Sequence, residues 1–128
     1  MKKYAVMPVF EYSDDELVDI ISAAVYDIGY WAMINNDTDI WNVISESMDD
    51  DATFEDVFYA ILKSGNVVQL IDNEYGSDDV WDMTLDKLLN GIKLAIQKGY
   101  WNGKLDDIDG EVGDIIFQYG LFSDIVYG

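Results

Sequence analysis

Carboxylates are the only side chains in this sequence numerous enough to suggest acid-base or metal chemistry. The chain has 26 Asp and Glu residues against 7 Lys, and it contains no Cys, His or Arg. The lack of Cys and His excludes thiol catalysis, imidazole acid-base chemistry and ordinary zinc sites. Two carboxylates suffice for a glycosidase, but 26 of them make chance pairs inevitable. We therefore expect no catalytic residue, and a small hydrolase is the alternative.

One segment partly resembles a calcium-binding loop. Asp107, Asp109 and Gly110 match the third, fifth and sixth positions of that loop. Its first and twelfth positions fall on Leu105 and Ile116, where oxygen ligands are required. Helix capping by Asp109 is therefore the better interpretation, and we expect neither a metal site nor a cofactor. A second acidic group is interpreted as a solvated hairpin loop: Asp72, Glu74, Asp78 and Asp79.

The aromatic residues could in principle stack against bases or sugars, because the chain has four Trp and nine Tyr. Most of them lie at apolar helix or strand positions, as Trp31 and Trp81 do, which favours core packing. Tyr100 and Trp101 lie in a predicted loop and are the pair with the best opportunity for stacking.

The strongest functional indication is the charge balance, which gives a formal net charge of -19. No positive residue lies between Lys3 and Lys63. Such a balance disfavours direct binding to nucleic acid or to an anionic membrane, and it favours a basic partner surface or cations. The predicted partner-binding acidic face consists of Asp37, Asp39, Glu46, Asp49, Asp50, Asp51, Glu55 and Asp56.

The average charge density of the surface limits the idea that this chain imitates a nucleic acid. A folded chain of 14.6 kDa exposes roughly 7,000 Å², so its net charge averages about one per 360 Å². Duplex DNA carries about one charge per 110 Å² of its surface. Mimicry therefore requires the carboxylates to be pooled on one face. Solubility alone is the alternative explanation of the acidity, and salt adaptation is a third.

The elements that must position these residues begin with a helix over residues 84–99. Apolar residues recur there at helical spacing, namely Leu85, Leu88, Leu89, Ile92 and Ile96. Thr84 can cap the first turn and Gly99 suits the left-handed position that ends a helix. We interpret this helix as the element around which the chain is organised.

The other predicted elements follow in chain order. Ser13 to Glu16 form a capping-box signature that begins a helix ending at Gly29. Residues 30–34 and 40–44 are rich in β-prone side chains and flank a segment of turn residues. This pattern predicts a hairpin, and a helix through 40–47 is the alternative. Thr53 caps a second helix ending at 64–65. Runs 67–71 and 79–83 form another hairpin, 100–104 is a loop, and a last helix begins at Asp109 or Gly110.

These elements predict an α+β fold in one domain over residues 1–128. About four short strands in hairpins would form an antiparallel sheet packed against about four helices. Residues 1–12 are expected to be extended, because Pro8 blocks a helix. They lack the features of a signal peptide, and no apolar run could span a bilayer. We therefore expect a cytoplasmic protein.

Parts of the chain resemble a family of small acidic proteins encoded by bacterial phages and conjugative elements. The resemblance lies in Gly29-Tyr30-Trp31, in Val80 to Thr84 with the helix LDKLLNGIKLAI at 85–96, and in the tail from Asp106 to Gly128. The family has no catalytic residues to carry over. The resemblance implies a mobile-element protein of the bacterial cytoplasm, and acidic proteins from that setting often block restriction or CRISPR nucleases.

The leading hypothesis is a non-enzymatic interaction protein. Its acidic face would imitate nucleic acid and occupy the basic surface of a nucleic-acid-binding enzyme, such as a restriction or CRISPR-type defence nuclease. The alternative is a structural or housekeeping domain of a mobile element whose acidity serves only solubility.

Overall fold

The structure, a computed structural model, describes residues 10–128. The prediction for residues 1–12 therefore lies mostly outside the described residues. The described chain forms five α-helices, three strands and two short 3-10 turns. In chain order they are α1 Asp14–Val25, a turn Ile28–Tyr30, β1 Ala32–Ile34, α2 Asp39–Ser47, α3 Phe54–Lys63, β2 Val68–Asp72, β3 Val80–Met83, α4 Leu85–Gln97, a turn Leu105–Asp107 and α5 Gly110–Phe122.

Helix α5, rather than α4, is the central element. Every residue from Val112 to Gly120 is buried, and α5 packs against both α4 and α1. Two glycines allow this close packing: a Cβ on Gly113 would lie 2.5 Å from the backbone nitrogen of Ala24, and one on Gly120 would lie 2.6 Å from the carbonyl oxygen of Lys87. The prediction that the chain is organised around residues 84–99 is therefore wrong, although α4 itself is confirmed.

The apolar face of α4 also differs from the predicted stripe. Leu88 and Ile92 are buried as expected, but Leu89 is 42% exposed. The buried face instead includes Gly91 and Ala95, because close contact with α5 favours small residues on that side. A Cβ on Gly91 would overlap the carbonyl oxygen of Ile116.

The helices pack in successive pairs. Helix α4 packs against α5, α5 against α1, α1 against α3, and α3 against α2. The buried apolar residues form a single cluster drawn from all five helices and the sheet.

The sheet has three antiparallel strands in the order β1-β2-β3 among the described residues. The α+β class and the β2–β3 hairpin are confirmed. The predicted hairpin between 30–34 and 40–44 is wrong: β1 pairs with β2, and residues 39–47 form α2, which was the alternative. The counts of about four strands and four helices are wrong for the same reason, since a predicted strand is a helix.

The predicted helix starts are confirmed by their capping hydrogen bonds. Ser13 and Glu16 form a complete capping box on α1, and Thr53 caps α3 in the same way. Thr84 and Asp109 cap α4 and α5. Because each cap satisfies an amide that the helix leaves free, these short polar residues fix where the chain turns into a helix. Within residues 10–128, no helix has the length and apolar character needed to cross a bilayer.

Candidate interaction surface

Six of the eight predicted acidic residues are exposed on one continuous segment. We call this set the acidic strip: Asp37, Asp39, Glu46, Asp49, Asp50 and Asp51. Asp39 and Glu46 are seven residues apart on α2 and therefore lie on the same side of that helix, about 10 Å apart along its axis. Asn42 and Val43, both exposed, lie between them.

Helix α2 turns this side outward because its other side is anchored in the core. Trp41 is 6% exposed, and its ring lies 4.7 Å from that of Phe54 and 6.5 Å from that of Phe58, measured between centroids. Thr38 accepts a hydrogen bond from the Trp41 amide and caps the first turn. The burial of one tryptophan therefore fixes which carboxylates face solvent.

The remaining two predicted residues are not part of this exposed surface. Glu55 is only 7% exposed, at the start of α3. Asp56 is half-buried and accepts a hydrogen bond from the Thr53 amide at 2.9 Å, which completes the capping box of α3. Both positions were included in the predicted face because sequence alone does not show which side of α3 faces the core.

The acidic strip carries uncompensated charge as far as the structure describes the chain. The single salt bridge among residues 10–128 joins Lys63 to Asp14 at 2.6 Å, away from the strip. The other lysines of this range are Lys87, Lys93 and Lys98 on or beside α4, and Lys104 in the loop after it. None of these lysines forms a salt bridge with a residue of the strip.

The Lys63 bridge belongs to a small network between α1 and α3. Asp14 accepts hydrogen bonds from Lys63 and, at 2.5 Å, from the hydroxyl of Tyr59. These two bonds, with that from Lys63 the stronger cause, lower the pKa of Asp14. Burial of the phenol and its bond to Asp14 raise the pKa of Tyr59 to about 12. The network joins two helices and leaves the acidic strip untouched.

The acidic residues that suggested metal binding have structural roles. Asp109 caps α5 through the Val112 amide at 2.9 Å, as predicted, and Asp107 accepts from Asn102. Asp72 is buried and accepts from the Glu74 amide and the Ser77 hydroxyl, both at 2.9 Å. Among the described residues, no group of three or more acidic side chains is arranged to hold a metal ion.

Tyr100 and Trp101 do not form an open stacking platform. Trp101 is 5% exposed, stacks on Tyr12 with ring centroids 5.9 Å apart, and donates to the Lys104 carbonyl. Tyr100 is half exposed and lies against Tyr119. The pair therefore fastens the loop and the segment before α1 to the body of the molecule.

A buried polar network around Asp114 was not anticipated from the sequence. Asp114 is 6% exposed and accepts from the Tyr30 hydroxyl at 2.5 Å, the Trp31 indole at 2.8 Å and the Gln118 amide at 3.0 Å. Desolvation, followed by the bond to Asp114, raises the pKa of Tyr30 to about 12. Asp114 and Gln118 are four residues apart, and this spacing on an otherwise apolar helix was the signal available in the sequence.

A hollow of about 470 Å³ lies beside this network and is lined in part by Asp27, Glu111 and Ile125. A second concave surface of about 440 Å³ lies between α1, β1 and α3 and includes Glu55.

In comparisons with known proteins, no family model, no curated protein and no solved structure matches this chain. The resemblance to a phage and mobile-element family therefore stays a prediction.

Proposed function

We propose that this chain is a non-enzymatic interaction protein that uses the acidic strip to occupy a basic protein surface, in the manner of a nucleic acid. The observation that supports this most strongly is that six carboxylates are exposed along one segment, and none of them has a lysine partner in the described range. Four of the five lysines of this range lie on or beside α4 or in the loop after it. A basic surface would be attracted to the strip and oriented by it.

The average charge density shows why a local concentration of carboxylates matters. The accessible surface is 7896 Å² for a net charge of -19, or about one charge per 420 Å². This is roughly a quarter of the density on duplex DNA, which has about one charge per 110 Å². Only a surface that concentrates its carboxylates can compete for a phosphate-binding groove, and the acidic strip is the surface that we propose for this role.

The class of partner follows from the same chemistry. A groove that binds phosphates presents Lys and Arg side chains at intervals along a rod. The acidic strip presents carboxylates along a helix and the loop that continues it. A restriction or CRISPR-type nuclease offers such a groove, and occupation of the groove would inhibit cleavage without any catalytic residue on this chain.

The test is inhibition of DNA cleavage by a panel of restriction endonucleases and one CRISPR nuclease, measured on plasmid DNA with increasing amounts of this protein. Asp49→Lys, Asp50→Lys and Asp51→Lys are combined in one variant. The matched control combines Asp78→Lys, Asp79→Lys and Asp82→Lys, which changes the charge equally at exposed positions of the β2–β3 hairpin. We expect inhibition to be lost in the first variant, kept in the second, and weakened by salt.

Two outcomes would contradict the proposal. Equal loss in both variants would show that only net charge matters. No inhibition of any nuclease by the unaltered protein would favour the alternative, in which the acidity of a structural domain serves solubility alone.

A further inference from the structure

A row of side chains along one side of α5 forms the floor of the hollow beside Asp114. The row consists of Glu111, Asp114, Ile115 and Gln118, which follow one another at three- and four-residue intervals. Residues at this spacing are neighbours on a helix surface. All four line the hollow of about 470 Å³, which we call the α5 hollow.

Tyrosine and isoleucine side chains from other parts of the chain form its walls. Tyr30 precedes β1 and is 54% exposed, and Tyr100 follows α4 and is 48% exposed. Ile125 and Tyr127 of the tail line the hollow as well. The ring of Tyr127 is held in place by stacking on Trp31. The walls are therefore aromatic and aliphatic, and at least two of the rings are accessible to a ligand.

Three carboxylates line the α5 hollow. Asp27 and Glu111 are exposed, and Asp27 lies beside the first residue of α5, because a Cβ on Gly110 would be 2.8 Å from its Oδ1. Asp114 lies one turn beyond Glu111 and is 6% exposed. None of the described residues that line the hollow is a lysine. Because like charges at neighbouring positions repel, a bound cation would be stabilised here.

The hydrogen bonds around the hollow determine which groups are left for a ligand. The Tyr30 hydroxyl donates to Asp114 at 2.5 Å. The side-chain amide of Gln118 donates to Asp114 and to the Tyr127 carbonyl, each at 3.0 Å. These donors are therefore used within the protein, whereas the two exposed carboxylates are acceptors. A ligand that matches them supplies N–H donors and positive charge.

An organic ammonium ion suits the α5 hollow better than a metal ion. Among residues 10–128, no group of three or more acidic side chains is arranged to hold a metal. Aromatic ring faces attract ammonium groups, and the methylene groups of such a ligand can pack against Ile115 and Ile125, which both line the hollow. The volume of the hollow falls within the range of small-molecule sites, roughly 300–1,000 Å³.

We propose that the α5 hollow binds a small diamine in its doubly protonated form. One ammonium group lies between Asp27 and Glu111, and the other lies near Asp114. These positions are about one helical turn apart along α5, roughly 5.4 Å, and a chain of four carbons spans such a distance. None of the residues of the acidic strip lines the hollow. The diamine site is therefore separate from the surface of the proposed function.

The test is an NMR titration of the protein with butane-1,4-diamine at fixed ionic strength. We expect the backbone amide of Ile115 and the side-chain amide of Gln118 to shift, since both residues line the hollow. Butylamine should bind at least about fivefold more weakly, because it has one charge fewer. Butane-1,4-bis(trimethylammonium) has the same charge but no N–H donor, and it should bind at least about tenfold more weakly.

Paired variants separate the hollow from the general negative charge of the protein. Asp27→Asn and Glu111→Gln together should weaken binding of the diamine by at least about tenfold. Asp86→Asn and Glu46→Gln remove the same charge at exposed positions outside the hollow and should change the affinity by less than about twofold. Tyr100→Leu keeps an apolar wall without the ring and should weaken binding about threefold. Thermal unfolding of each variant checks that the chain still folds.

Three results would overturn the diamine site. They are shifts that map to residues 37–51 in place of the hollow, equal affinity for either comparison ligand, and equal weakening by the two pairs of substitutions. The variant with Asp49, Asp50 and Asp51 changed to Lys should bind the diamine within about twofold of the unaltered protein. Nuclease inhibition and diamine binding can therefore fail independently of each other.

Discussion

The side chain of Gln118 holds the backbone of Tyr127 with both ends of its amide. Its Oε1 accepts from the Tyr127 N–H at 2.7 Å, and its Nε2 donates to the Tyr127 carbonyl at 3.0 Å. The same oxygen accepts from the Val126 amide at 2.8 Å. A single glutamine therefore fixes the end of the chain to α5, where the Tyr127 ring stacks on Trp31 with centroids 5.0 Å apart.

Gln118→Leu should therefore destabilise the protein by about 2–4 kcal/mol, because several buried polar groups lose their partner at once. Urea unfolding followed by far-UV circular dichroism measures this free energy. The near-UV signal should also weaken as Tyr127 leaves Trp31. Gln97→Leu, at an exposed position of α4, is the control and should change stability by less than about 0.5 kcal/mol. A Gln118→Leu variant as stable as this control would show that the tail contributes little.

The parts of the fold that were predictable from sequence are those with local causes. The caps at Ser13, Thr53, Thr84 and Asp109 depend on residues three positions away, and all four were identified. The strand predicted over 40–44 was wrong because its apolar residues suit either structure over so short a length. The burial of Trp41 against Phe54 and Phe58, which are distant in sequence, favours the helix.

The central place of α5 was missed because it depends on residues that carry no apolar signal. Gly113, Gly120 and Gly91 permit close contact between helices. Glycine adds nothing to the apolar pattern from which the buried face of a helix is predicted. Asp114 and Gln118 are polar residues of α5, and only their partners Tyr30 and Trp31 in the folded chain explain their burial. In the acidic segment, exposure of Asp39 and Glu46 follows from the helical period of α2, whereas the burial of Glu55 depends on how α3 packs.

The contact between Gly91 and α5 gives a second prediction. Gly91→Ala places a methyl group against the Ile116 carbonyl and the Gly120 backbone, so α4 and α5 must separate. We expect a loss of about 2 kcal/mol or more. Gly29→Ala is the matched control, because a Cβ there meets nothing within 4 Å, and it should be nearly neutral. Thermal unfolding of both variants measures the difference; equal midpoints would show that the two helices adjust without cost.

The raised pKa values of Tyr30 and Tyr59, each about 12, predict alkaline destabilisation. The folded pKa of each phenol lies above its ordinary value of 10.0, so the folded state favours the protonated form. The stability that this contributes is fully present below about pH 10 and is lost as the pH rises toward 12. Urea midpoints near pH 8 and at about pH 11 should therefore differ, with tyrosinate absorbance rising in the same interval.

Single variants assign this alkaline loss to its residues. Tyr30→Phe and Tyr59→Phe should each reduce the fall in stability between these two pH values. Tyr75→Phe changes a fully exposed residue and should leave the pH dependence as it was. A profile that neither Tyr30→Phe nor Tyr59→Phe alters would place the alkaline transition elsewhere.

The net charge of -19 predicts that salt stabilises this fold. Negative charges on the surface repel one another, and dissolved ions screen that repulsion. Raising NaCl from about 0.02 M to about 0.5 M should raise the melting temperature by several degrees.

Neutral variants locate the origin of this salt effect. Asp49→Asn, Asp50→Asn and Asp51→Asn together should raise the melting temperature at low salt and flatten its salt dependence. The triple change Asp78→Asn, Asp79→Asn and Asp82→Asn removes the same charge from the β2–β3 hairpin and should do less. If both triples act equally, the repulsion is spread over the whole surface, and the acidic strip has no special field with which to attract a basic groove. A larger effect of the 49–51 triple would instead show that the acidic strip concentrates charge, which is the property that the proposed function requires.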